Sequence, residues 1–176
     1  ILETIDSTMP TEGLEDFLFN TTEQRKASAA KNYGEAYSQP LEINETIQNF
    51  LNNKIIQKLY NDADNLAEYE GIELGLSVGR FAEGSNYPPP TLEEFDFIKQ
   101  ALDDRVNELY GKGKGGEASK AKSLRDKLKD ELDRQIPDYK LARSEYAGYS
   151  AAMEAANLGK DFIEKPRAVS KRVLTD

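Results

Sequence analysis

Apolar residues recur every three to four positions along most of this chain, a period that predicts helices. The clearest signal begins at Thr91. Thr91-Leu92-Glu93-Glu94 has the spacing of a capping box, in which the Thr91 hydroxyl accepts from the Glu94 amide and the Glu94 carboxylate reaches back. Behind it Phe95, Ile98, Leu102, Val106 and Leu109 form one stripe, and Gly111 is placed to close the helix. Leu124, Leu128 and Leu132 form a matching stripe beyond the short turn Gly111-Lys112-Gly113-Lys114-Gly115-Gly116. The two helices are therefore expected to lie antiparallel as a hairpin of about 25 Å, at about 1.5 Å per residue. Ile136-Pro137 ends the second helix, and Pro137 opens a third at its first turn. Tyr139, Ala142, Tyr146, Met153, Ala156 and Phe162 continue its apolar face, with Gly148 marking a kink and Gly159 a cap.

Upstream the signals are shorter. Thr22 reads as the N-cap of a helix reaching Tyr37, with Ala29, Ala30, Tyr33, Ala36 and Tyr37 on one face, ended by Gln39-Pro40. Asn44 caps a short helix that buries Ile47, Phe50 and Leu51, and Asn52-Asn53 breaks and recaps it. A further helix carries Ile55, Ile56, Leu59, Tyr60, Ala63, Leu66 and Ala67 and stops at Gly71. From Ile72 to Pro90 three glycines and three consecutive prolines exclude a helix. Leu74, Leu76 and Val78 alternate there, but one strand without partners is not stable, so the span reads as a long irregular loop. The expectation is an all-α fold, an antiparallel bundle of about five to six helices with one long Gly/Pro-rich loop near residues 72–90. Residues 1–20 are expected to form an arm or a short helix, 21–165 the helical domain, and 166–176 a tail cut from a longer chain. The first residue is Ile rather than Met, and Ala168–Asp176 carries no helix-ending signal, which fits a fragment.

Composition narrows the chemistry. There is no cysteine and no histidine, which removes thiolate chemistry, the commonest general base and the commonest metal ligand. A net charge of −9 argues against the whole surface binding nucleic acid or an anionic membrane. No apolar run approaches the roughly 20 residues that cross a bilayer.

Four groups of residues invite a functional reading. The glycine-rich turn offers amides and lysines for a phosphate, but the Walker pattern needs a strand before it and Lys-Ser/Thr after Gly, and has neither here. Lys112, Lys114, Lys120, Lys122 and Arg125, followed by Lys127 and Lys129, make a basic island that suits a phosphate backbone or an acidic partner. A solvated helix face pairing with Asp126, Asp130 and Glu131 accounts for the same residues with fewer assumptions. Asp103-Asp104 and Glu93-Glu94 are candidates for acid–base or divalent-metal work. Adjacent helical residues diverge by about 100°, though, and first-turn acids are explained by the helix dipole. Tyr139 and Tyr146 read as core, whereas Tyr149 is a candidate interface residue. No catalytic, cofactor or metal residue is assigned.

The remaining signal is a resemblance. It runs through Asn32-Tyr33-Gly34-Glu35-Ala36-Tyr37, Pro90-Thr91-Leu92, Phe95 to Asp104, Pro137, Tyr139, Ala142-Arg143, Tyr146-Ala147-Gly148 and Gly159-Lys160-Asp161-Phe162. This pattern resembles a helical segment of large virion-associated proteins of tailed bacteriophages and prophages, the internal or ejected proteins. It covers roughly residues 25–165 and transfers no catalytic residue. It implies a structural, non-enzymatic domain assembled in the host cytoplasm and carried in the virion. The implied partners are other virion proteins or further copies of itself, with nucleic acid the weaker candidate. The alternative is a helical accessory domain of a larger phage-encoded hydrolase or nuclease.

Overall fold

Capping chemistry sets several helix boundaries in the computed structural model, which describes residues 11–82 and 85–164. Seven helices occur among them: α1 (Thr11–Tyr37), α2 (Glu45–Leu51), α3 (Lys54–Lys58), α4 (Tyr60–Tyr69), α5 (Leu92–Gly111), α6 (Gly115–Gln135) and α7 (Pro137–Glu164). The protein is all-α, and no strand is present among the described residues. The Asn44 side chain accepts from the Ile47 amide and the Asn53 side chain from the Ile55 amide, so each asparagine opens its own helix. The helix expected over Ile55–Ala67 is instead two, divided at a turn where the Leu59 amide donates to Ile56, three residues back, at 2.9 Å.

Two glycines close helices by the same device. Gly71 has φ of 78°; its amide donates to Glu68 and the next amide, of Ile72, donates back to Ala67. This double bond satisfies the orphan carbonyls of α4 and needs a left-handed residue. At the end of α5 the corresponding residue is Gly113, with φ of 71°, and the Lys114 amide donates to Leu109. Gly111 is simply the last helical residue, which corrects the boundary read from sequence.

The chain divides into two units, one comprising Gly34–Lys140 and the other the residues up to Tyr33 together with those from Leu141. In the Gly34–Lys140 unit α5 is the central helix. Leu92 and every residue from Glu94 to Ile98 are buried, because α5 packs on both α4 and α6. The antiparallel α5–α6 hairpin closes over Val106, Leu109, Ala118 and Ala121, and Leu128 and Leu132 are fully buried. Pro137 opens α7 as expected.

The other unit is an antiparallel pair made of the first part of α1 and most of α7. Glu15 meets Lys160 at 3.1 Å, Thr22 meets Met153, Arg25 meets Ser150, and Ser28 donates to Glu145 at 2.9 Å. The paired residue numbers all sum to about 175, a constant antiparallel register. Two expectations fail here for one reason. Thr22 is not a cap, since its hydroxyl donates to the Leu18 carbonyl inside a helix that already runs from Thr11. Gly159 does not cap α7, which continues to Glu164. Contacts to a distant partner helix carry both elements through weak local signals. Residues 1–10, 83–84 and 165–176 lie outside the described residues, as does the side chain of Phe162.

The closing glycines give a direct check. Gly113→Ala forces a side chain into the left-handed region and should cost about 1 kcal/mol. Gly111→Ala meets no atom within 4 Å and should stabilise by about 0.5–1 kcal/mol. Urea denaturation of the two variants reads both signs.

Candidate functional site

The polar groups buried in the Gly34–Lys140 unit converge on the first turns of α5. Thr91 and Glu94 form the capping box: the Glu94 amide donates to the Thr91 hydroxyl at 3.3 Å and the Thr91 amide to the Glu94 carboxylate at 2.9 Å. The other Glu94 oxygen takes an ion pair from Arg80, whose guanidinium also donates to the Leu74 carbonyl. The span read as a loop is therefore a fastened strap. Leu76 and Phe81 are buried along it, Phe81 meets Tyr60 edge-on at 5.5 Å, and the Leu76 amide donates to Asp64 at 3.1 Å. Burial pushes the Glu94 carboxyl above its ordinary range, against the lowering effect of the Thr91 amide and of Arg80. Burial likewise pushes the Tyr60 phenol up to about 12.

Two residues on, Asp96 is only 4% exposed and accepts from two tyrosines. The Tyr37 hydroxyl donates at 2.7 Å, the Tyr139 hydroxyl donates to the second oxygen, and Gln100 adds a bond at 3.2 Å. The sequence marks Tyr139 as core, and it is fully buried, but Asp96 carries no local signal of its role.

A third cluster joins the segment after α1 to the α6–α7 corner. The Gln135 amide accepts from the Glu42 N–H at 2.9 Å and donates to the Glu42 carbonyl at 3.1 Å, and Gln39 donates to Asp138 at 2.6 Å. Glu131 accepts from Asn44 at 2.7 Å, Gln135 at 2.8 Å and both ends of the Arg134 fork. These donors, Arg134 first, hold its carboxyl down to about 2.

The residues singled out for chemistry are dispersed, and several of them are engaged in ion pairs. Asp103 takes Lys99 at 2.8 Å on its own helix and Arg125 from α6. Arg125 thus fastens the hairpin instead of facing outward with the lysines. Lys112 pairs with Glu108, Lys114 with Glu117 at 3.3 Å and Lys122 with Asp126 at 2.9 Å, while Lys120 is exposed. Glu94 and Asp103 lie nine residues apart on α5, and no group of three metal-binding side chains gathers among the described residues. A groove of about 320 Å³ between α4 and α5 is bordered by Asp62, Asp104 and Glu108 against Arg105, the last two being paired at 2.5 Å. Tyr149 is half-buried on the α1–α7 seam. Tyr146, expected in the core, is instead 42% exposed beneath the Arg25 guanidinium at 5.1 Å, which fits a cation–π contact.

Two outcomes follow from this geometry. Asp96→Ala strands two phenol hydroxyls, at least one of them buried, and should cost on the order of 3 kcal/mol in thermal or chemical unfolding. Glu131 has a folded pKa below its ordinary 4.5, so its stabilisation is complete above that pH and drains away as pH falls toward about 2. Glu131→Gln should flatten the pH dependence of stability across that window, measured by urea titrations at each pH. Comparison of the chain with protein-family models, with curated proteins and with solved structures finds no match.

Proposed function

We propose that this chain is a non-enzymatic structural and interaction domain of a bacteriophage or prophage virion protein, of the internal or ejected kind that acts in genome delivery. One observation carries the reading. Four acidic side chains are committed to the frame: Glu94 to a cap and a strap, Asp96 to two tyrosines, Asp103 to α6, Glu131 to the α2 cap. A protein whose buried polar chemistry is given over to holding its own frame is suited to bearing load and presenting surface. The residue pattern resembling helical segments of virion proteins supports the same reading and adds the setting. In it the partners are other virion proteins or further copies of this chain, and no cofactor is called for. The paired lysines of the α5–α6 turn are then a solvated helix end rather than a phosphate site.

Mass spectrometry of particles purified from the source phage or induced prophage should return peptides of this chain in stoichiometric amount. Particles that are infective and lack it would overturn the proposal.

A further inference from the structure

The unit formed by α1 and α7 has almost no interior of its own. Among the described residues it buries no apolar side chain larger than Ala142, and its largest seam residues, Leu14, Leu18, Tyr149 and Met153, are only half-buried. Phe17, Phe19, Leu141, Tyr146 and Leu158 stay substantially exposed. Two helices with so little burial are marginal in water, since helix stability in proteins comes from packing an apolar face. Something must cover this pair.

The two flanks of the hairpin differ in what they can accept. The seam positions recur three and four residues apart, from Leu14 to Asn32 on α1 and from Ala142 to Lys160 on α7. Viewed down the hairpin, α1 winds clockwise and α7 counter-clockwise, so a step of one residue back from the seam reaches the same flank on both helices. That flank carries Phe17 (47% exposed) and Leu141 among small or uncharged residues, with Lys31 and Glu145 as its charges. The opposite flank, one residue forward, carries Phe19 but surrounds it with the charges of Glu15, Lys26, Arg143 and Glu154. The charge-poor flank is the one that can be dried.

We infer that this flank pairs with the same flank of a second copy, two hairpins closing into an antiparallel four-helix bundle. This deepens the structural role proposed above and rests on it. A two-fold axis parallel to the hairpin lays α1 of each copy on α7 of the other in the register already seen within the chain. Phe17 then sits over Ala155 and Gly159 of the second copy, bulk against small residues, and Lys31 comes beside its Glu145. The area favours a hairpin over a lone helix as occupant. A face about 33 Å long and about 20 Å wide on each copy covers roughly 1,300 Å² in all, inside the roughly 1,200–2,000 Å² of stable interfaces. One added helix would cover about half of that.

Sedimentation velocity on the full chain should show a reversible dimer that Phe17→Glu and Ala152→Glu each convert to monomer. Phe19→Glu, on the other side of α1, should leave the dimer intact. The chain has no cysteine of its own, so an equimolar mixture of Gln24→Cys and Ala152→Cys chains should oxidise to a covalent dimer while neither chain alone does. A wild-type chain monomeric at every concentration overturns the pairing, as does a dimer that both glutamate variants and the cysteine mixture leave unaffected. Finding a monomeric chain in purified particles removes the pairing and keeps the virion role. A dimer absent from infective particles does the reverse.

Discussion

Two carboxylates buried in the opening turns of α5 set the terms for the Gly34–Lys140 unit. A buried carboxylate is costly unless hydrogen-bonded or paired, and neither Glu94 nor Asp96 finds enough partners on its own helix. Each gathers them from a distance. Arg80 comes from the strap, Tyr37 from the end of α1 and Tyr139 from the first turn of α7, up to 59 residues away. The apolar stripe of α5 would tolerate several arrangements of neighbouring helices. The demands of these two oxygen pairs admit far fewer, so the polar groups choose among packings that burial alone leaves open.

The α1–α7 hairpin follows a different rule. Its seam mixes leucines with Thr21, Arg25, Ser28 and Asn32, and its cross-helix bonds are made largely at half-exposed positions. Such a seam specifies register well and contributes little net stability, because each bond replaces one to water. One unit is thus defined by what it hides and the other by what it leaves uncovered.

Local chemistry was legible in the sequence wherever a residue acts on its immediate neighbours. The Thr91 capping box, the Asn44 and Asn53 caps, the Gly71 closure and the Pro137 start all depend on groups within a few residues, and all stand where their spacing puts them. Long-range partners were not legible. Asp96 has no neighbour in sequence that betrays two tyrosine donors, and Arg80 sits among glycines with nothing nearby to suggest Glu94. The extent of α1 is not legible locally because an early turn is held by α7, Glu15 by Lys160, more than 100 residues on. Gly111 and Gly113 both fit a closing position in sequence, and only the backbone angle separates them.

The joints around Glu42 are each made through a side-chain amide. Gln135 holds a backbone N–H and carbonyl, and Asn44 serves both its own helix and α6. Dissolved ions screen the lysine–carboxylate pairs that decorate α5 and α6, but they have little purchase on a side-chain amide seated on main chain. Concentrated electrolyte would therefore weaken the outer lysine pairs of this unit and leave the Gln135 joint to the Glu42 main chain in place.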